Sequence, residues 1–571
     1  NNNPPLSAIN SKLIADNGGL LFYNYQSDNS DLDTGKFLLK GNVEAQVKAG
    51  GYGFYLKNAE ITTTGEITGV SGFLNRMFTR NTGAGKLKVK VEENGTFMIL
   101  HKPRNGKITL SSVATPQNIN NSLGQNVELV PPASGRYKVY SVYRGHLRIN
   151  QNVILDNDNT TSNPDAIYRV DFRSSSEELD AGKTISGTKQ GQIAMFQGNY
   201  DEGAEKGTVT EINIINNGKI SLSGNSGAKT TTAMAGDFIT LTNNKDIEVT
   251  GDKAVGMFGA GGSKVLNNTN GTITVGKEGV ALYGANKLGS STLGDKTISL
   301  INKGKITAVS GKESPYGIYA KNDLSLATRA SAKVTNEGTI DFTSVDKSIA
   351  SYVENATLTN TGKMLIGKKG VGIFSKDSDV TSSGDITLSK EAIAFNLDGT
   401  FTGRTLNFTS KITLTDEDNT IFNFKGVTFD TTGLTGFTDN LNIVSNDKSY
   451  SYFSLKDSTL IYNRDKTFTG KNVKFVNANT SKVDWRSNLT LNGNSNVAFY
   501  ANGTSGAGPE VKIASGKTIT LTGNQTVGAY SVGGARVQNA GNIVVGSNGA
   551  ALYSKDNGTL INTGKLTLGK N

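Results

Sequence analysis

Apolar and polar residues alternate along the chain in short stretches, each closed by glycine, asparagine or aspartate, as in Gly271-Thr272-Ile273-Thr274-Val275-Gly276. A period of two puts one face of a strand inward and the other to water. Helical spacing is absent from nearly the whole sequence, so the stretches predict short strands. Two motifs recur among them. The first, Asn-x-Gly-x-apolar, spans Asn216–Ile220, Asn302–Ile306, Asn336–Ile340, Asn360–Met364 and Asn539–Ile543, with degenerate copies ending at Ile247, Ile273 and Ile386. The second is an apolar residue, Gly or Ala, an aliphatic, then Phe or Tyr. It spans Val255–Phe258, Val280–Tyr283, Tyr316–Tyr319, Val371–Phe374, Val527–Tyr530 and Ala550–Tyr553, with an early copy at Tyr52–Tyr55.

The apolar anchors of the first motif recur about every 22 to 34 residues. At about 3.3 Å per strand residue, the shortest interval holds about three strands and three turns, which closes one coil. The expected fold is therefore all-β, an elongated parallel β-helix (solenoid) with irregular insertions at coil corners. Parallel crossovers favour the right-handed form. About 25 coils at about 4.8 Å each would extend on the order of 120 Å. Gly or Ala before each aromatic is expected to leave room for rings stacked inside the coil. Asn and Gly at the corners are expected to supply left-handed turn conformations. The repeat divides the chain into an N-terminal β-helix portion with irregular basic and aromatic insertions (1–210), regular coils (211–396), an irregular segment with an insertion (397–500), and regular coils (501–571) expected to continue beyond the chain end.

Composition agrees with a stack of coils. Among 571 residues there are 68 glycines for turns and only nine prolines, which would interrupt strands paired on both sides. Cysteine is absent, so either the fold needs no covalent reinforcement or export requires an unlinked chain. The net charge of +10 raises the question of nucleic acid. The lysines, however, sit singly beside turn residues, as in Gly218-Lys219 and Gly304-Lys305, with acids interleaved, which points away from a nucleic-acid partner. No apolar run is long enough to span a bilayer.

The alternation of Asn-x-Gly-x-Ile with Val-Gly-x-Tyr/Phe, together with Gly145–Val153 and Gly191–Ala194, resembles the passenger region of the large monomeric type V autotransporter adhesins of fusobacteria. The likeness is clearest over 211–396 and 501–571. It implies a right-handed β-helix, a monomer displayed on the bacterial surface, and anchoring only through a C-terminal translocator barrel outside this chain. The implied partners are a host receptor or glycan, or a surface protein of another bacterium, with roles in attachment and coaggregation. No cofactor or metal is implied, and the function expected is adhesion rather than catalysis. Two alternatives remain: a passive stalk carrying a binding head elsewhere, and a polysaccharide lyase or glycosidase, which would need carboxylates converging across neighbouring coils.

Binding is expected where the repeat is interrupted. In the first interruption, about 72–210, Arg136, Tyr137, Lys138, Tyr140, Tyr143, Arg144, His146 and Arg148 combine ring faces for sugars with cations for carboxylates. Outward basic positions on a strand pair are the plainer explanation. In the second, about 397–500, Tyr450, Tyr452, Phe453 and the single tryptophan, Trp485, are either exposed anchors or the filling of a widened coil. Gly224–Ala228 and Gly503–Ala507 faintly resemble a serine-protease loop, with His101 or His146 as the only possible bases. Both read as chance in a Gly/Ser-rich repeat. Gly182-Lys183-Thr184 and Gly516-Lys517-Thr518 lack the leading glycine and following helix of a phosphate loop. Asp28–Asp33 and Asp156–Asn159 lack a recognised calcium spacing and read as turns.

Overall fold

The alternating stretches form short strands that pair in parallel with those of neighbouring coils, so the fold is a parallel β-helix, as the repeat predicts. This computed structural model describes residues 12–25, 37–57, 74, 77–80, 84–101, 107–110, 120, 123–133, 137–143, 145–150, 152–155, 170–173, 176–198, 212–285, 297–322, 332–434, 436–503 and 508–569. The described residues fall into two compact units, one up to Val265 and one from Leu266 onward.

In the first unit, Lys12–Ala15, Glu44–Val47, Leu87–Val91 and Val127–Val130 form one parallel ladder. A second ladder joins Leu20–Tyr25, Tyr52–Lys57, Thr96–His101, Lys138–Tyr143 and Val170–Arg173. Inward rings stack up the coil, with Phe22 and Phe54 centroids 5.2 Å apart. Further along, Asn213–Asn216 pairs with Thr240–Asn243 and Lys219–Leu222 with Asp246–Val249, so the anchors Ile220 and Ile247 lie opposite one another and fully buried.

In the second unit each coil has three faces. The long face runs from Val280–Ala285 through Tyr316–Lys321, Ile349–Glu354, Val371–Lys376, Ile393–Asp398, Asn419–Lys425, Tyr450–Lys456, Val473–Asn479, Val497–Asn502 and Val527–Val532 to Ala550–Lys555. The amide face comprises Ile298–Asn302, Ala332–Asn336, Thr357–Asn360, Asp379–Ser382, Thr405–Phe408 and Gly436–Asp439. The third face carries the anchors Ile273, Ile306, Ile340, Met364, Ile386 and Ile412 in register, all fully buried.

The corner between the amide and third faces explains Asn-x-Gly. Each Asn ends its strand with a buried side chain, and the amides chain together up the axis. Asn267 Nδ2 donates to Asn302 Oδ1, Asn302 to Asn336 and Asn336 to Asn360, each at 2.8 Å. Asn360 then donates to the Ser382 hydroxyl at 3.2 Å. A fully paired amide ladder satisfies groups whose burial would otherwise cost free energy. The glycine is required for space: a Cβ on Gly338 would lie 2.1 Å from the Gly304 carbonyl oxygen, and one on Gly362 2.2 Å from that of Gly338. The expected left-handed turns occur at other corners, on glycines and asparagines such as Gly399, Gly426, Asn355 and Asn472, and also on Glu278, Lys347, Lys369, Glu391 and Asp418.

The placement of the aromatics differs from the sequence expectation. On the long face, Val371 and Phe374 point outward while Gly372 and Ile373 both point inward, so the alternation breaks once per strand. Gly372 is small because a Cβ there would meet the Ala394 carbonyl oxygen at 2.7 Å. The break sends the following aromatic to the outer surface, not into the coil.

The coil that begins at Asn419 carries an extra strand. Thr428–Asp430 and the 3-10 turn Thr431–Gly433 precede Gly436–Asp439. Gly436–Asp439 closes the amide-face sheet, and Thr428–Asp430 opens a new one that continues through Thr459–Tyr462, Lys482–Trp485, Glu510–Ile513, Arg536–Asn539 and Thr559–Asn562. The edge left by Gly436–Asp439 is closed by side chains. Arg464 donates to the Phe437 and Leu434 carbonyls, and Lys466 Nζ donates to the Asp439 carbonyl at 2.6 Å while pairing with its carboxylate at 3.0 Å. Tyr452 donates to the same carboxylate at 3.2 Å.

Candidate binding face

The outer side of the long face places one column of residues in register: Tyr283, Tyr319, Tyr352, Phe374, Asn396, Asn423, Ser454, Asn477, Tyr500, Tyr530 and Tyr553. Parallel strands lie about 4.8 Å apart, which is also the contact distance of stacked rings. Tyr319 and Tyr352 stack at 4.6 Å and 5°, and Tyr352 and Phe374 at 5.0 Å and 23°. Tyr500–Tyr530 and Tyr530–Tyr553 stack at 5.1 and 4.8 Å. The rings face one another along the axis and present their edges to solvent. Only at the ends of each ring run does a face open.

Two columns flank this one. On one side Val280, Tyr316, Ile349, Val371 and Ile393 continue the apolar surface, all partly exposed. On the other, Glu354 is clamped between Lys321 (3.4 Å) and Lys376 (3.3 Å) and accepts from the Tyr352 hydroxyl at 2.9 Å. Burial alone would raise the Glu354 carboxyl, but the hydrogen bonds from Tyr352 and Lys376 and the charge of Lys321 prevail and hold it below the usual range. Burial, reinforced by Glu354, pushes the Tyr352 hydroxyl up, so it stays a donor.

From Asn396 to Asn477 the same face turns polar. Asn423 Nδ2 donates to Asn396 Oδ1 at 2.6 Å, and Asn477 Nδ2 to Ser451 Oγ at 3.1 Å. The flanking column here carries Lys425 and Lys456 directly opposite one another, both exposed. Lys474 is exposed too, and its ammonium lies 4.8 Å from the centre of the Tyr500 ring. None of these three lysines has an ion-pair partner among the described residues.

The basic and aromatic cluster of the first unit is only partly described. Arg136 and Arg144 lie outside the described residues. Lys138, Tyr140 and Tyr143 belong to the strand Lys138–Tyr143, and the side chains of Tyr140 and Tyr143 are likewise outside the description. Tyr137 is buried. His146 and Arg148 occupy outward positions of His146–Ile149 and engage the next coil, His146 Nε2 at 3.1 Å from Glu178 and Arg148 Nε donating to Asp180 at 2.7 Å. Both side chains are directed to those acids.

Tyr450, Tyr452, Phe453 and Trp485 are buried, filling a widened coil. Trp485 stacks on Tyr462 at 4.4 Å and 8°, and its indole donates to the Ser487 carbonyl at 2.9 Å. Ser226 is a corner residue, donating to the Lys253 carbonyl and accepting from the Thr231 amide. His101 Nδ1 lies 2.6 Å from the Tyr55 hydroxyl. Lys183 and Lys517 fall in ordinary turns before strands. Asp28–Asp33, Asp156–Asn159 and the Thr504–Ala507 part of Gly503–Ala507 lie outside the described residues.

Sequence reasoning located Tyr283, Tyr319, Phe374, Tyr530 and Tyr553 but assigned them to the wrong side, and it passed over Tyr352, where Ser351 stands in the aliphatic place of the motif. The signal was present in the motif: apolar, small, aliphatic, aromatic cannot alternate strictly, and Asn396, Asn423, Ser454 and Asn477 stand at the aromatic's position in Ala394-Phe395-Asn396, Ile421-Phe422-Asn423, Tyr452-Phe453-Ser454 and Phe475-Val476-Asn477. A side chain that exchanges Tyr for Asn from coil to coil faces water.

The fold and this outer face define a parallel β-helix with a registered surface column. No known family model matches the sequence, and no curated protein is significantly similar to it.

Proposed function

We propose that the chain is a non-catalytic adhesive passenger of the bacterial surface, binding host or bacterial surface molecules through the outer side of its long face. The observation that carries this reading is the column of rings and amides held in register from Tyr283 to Tyr553. An outward run of Tyr319, Tyr352 and Phe374 beside Ile349 and Val371 is unusual for a water-facing sheet, and aromatic side chains dominate interaction hot spots. The repeat resemblance to autotransporter adhesins supports display outside the cell, and a scaffold without cysteine suits export as an unlinked chain. A parallel stack also holds its outer groups at fixed spacing, which suits contact with extended or repeating surfaces.

The test is attachment of the labelled full chain to epithelial cells and to partner bacteria. Saturable attachment, reduced at least several-fold in a Tyr319→Ser/Phe374→Ser variant with unchanged circular dichroism, is the expected result. Cleavage of surface polysaccharide by the chain, or attachment indifferent to the double substitution, would defeat the reading.

A further inference from the structure

The polar stretch between the two ring runs has features that a plain solvated face does not need. Lys425 and Lys456 are directly opposite on adjacent parallel strands. Like charges in that relation destabilise a sheet, yet no acid pairs with either among the described residues. Across the amide row, in the column that carries Thr420 and Ser451, Lys474 adds a further ammonium over the Tyr500 ring. Between these cations runs the amide and hydroxyl row Asn396, Asn423, Ser454 and Asn477, which carries donors and acceptors, with the Asn477 Oδ1 buried. Each end of the row meets a ring, Phe374 in register with Asn396 and Tyr500 in register with Asn477. Phe374 stacks on Tyr352, and Tyr500 stacks on Tyr530 with the Lys474 ammonium also over its ring.

We infer that this stretch binds a linear acidic glycan lying along the stack, a deepening that rests on the adhesive reading above. The row offers hydrogen bonds to hydroxyls, Phe374 offers a ring to sugar C–H groups, and the Lys425–Lys456 edge pairs with carboxylate or sulfate. The rung spacing of about 4.8 Å is close to one pyranose unit of an extended chain, so successive rungs meet successive sugars. Anion binding also removes the repulsion between Lys425 and Lys456. A peptide strand fits less well, because the outer side of a sheet presents side chains, not the free backbone edge that strand addition requires.

The experiment uses the full chain and hyaluronan and chondroitin sulfate oligosaccharides, with chitin oligosaccharides of equal length as the neutral arm and single-stranded DNA as the general polyanion. Binding of an acidic oligosaccharide at least tenfold tighter than of chitin and DNA, weakening with salt, is expected. Lys425→Gln/Lys456→Gln should weaken it at least tenfold, and Asn423→Ala severalfold. The charge-matched control Lys363→Gln/Lys411→Gln, on the third face, should leave it unchanged. Equal loss in the control, equal binding of DNA, or no preference over chitin would overturn the inference. Cell attachment that survives Lys425→Gln/Lys456→Gln would overturn it while leaving the adhesive reading intact. Absence of both attachment and glycan binding would overturn the two together.

Discussion

Coils around residues 297–388 and coils around 393–500 share the long-face sheet but exchange the places of rings and amides. In the first region the strand-ending position of the amide face is Asn302, Asn336 and Asn360, buried and chained, while the outer column holds Tyr319, Tyr352 and Phe374. In the second, strand-ending positions hold Phe408, Tyr462 and Trp485, and the outer column turns to Asn396, Asn423, Ser454 and Asn477. The inward small position follows the same exchange, from Ala350 and Gly372 to Ile421, Tyr452 and Phe475. A coil can be closed by a narrow, hydrogen-bonded amide corner or by a wide, ring-filled one. In these coils a buried ring at the corner accompanies an outward amide or hydroxyl, and a buried amide accompanies an outward ring.

The exchange can be broken most strongly at the closed sheet edge. Lys466→Met would leave the Asp439 carboxylate buried without its cation, and should cost about 3–5 kcal/mol, read by denaturant unfolding followed through the fluorescence of Trp485, the single tryptophan. Adding Asp439→Asn should recover much of that loss. Trp485→Ala removes the largest ring of the wide coils and should cost a comparable or slightly smaller amount, about 3–5 kcal/mol, with faster hydrogen exchange confined to neighbouring coils. Asn336→Ala leaves the Asn302 amide without its acceptor and the Asn360 oxygen without its donor, so about 1–3 kcal/mol is expected. The same substitution at outward Asn396 should stay within about 0.5 kcal/mol. Equal effects at Asn336 and Asn396 would erase the distinction between inner and outer amides.

The smallest expected effect is in acid. The Glu354 carboxyl is held below its ordinary range, so its stabilisation is complete above the unfolded value of about 4.3 and is lost as pH falls through the folded value. Glu354→Gln should therefore be less stable than the parent at neutral pH, and the gap should narrow in acid. A gap that widens below pH about 4 would reverse the sign assigned to this clamp.

Much of this was legible in the sequence because the period of the anchors is a covalent fact. Ile306, Ile340, Met364 and Ile386 recur and must bury together, and they do. Tyr452 and Trp485, which the sequence leaves as either exposed anchors or the filling of a widened coil, are both buried. The side on which Tyr319 or Phe374 falls was not legible, because it depends on a single break in alternation that recurs whether Gly372, Ala350 or Tyr452 holds the first inward place. The role of Asn336 was hidden for a related reason. Its partners, Asn302 and Asn360, are distant in sequence, so local turn chemistry was a sufficient account of the residue until the coils were stacked. The opposition of Lys425 and Lys456 was invisible for the same cause.

The end of the amide-face sheet at Gly436–Asp439 has a mechanical meaning. On the third face, Asn442–Val444 closes one sheet and Lys466–Thr469 opens another, so these consecutive coils are joined by ladders on the long face and at Thr428–Asp430 only. Under load, the coils of the second unit would part first at that seam, where fewer bonds share the strain, with the Lys466–Asp439 pair as its rivet.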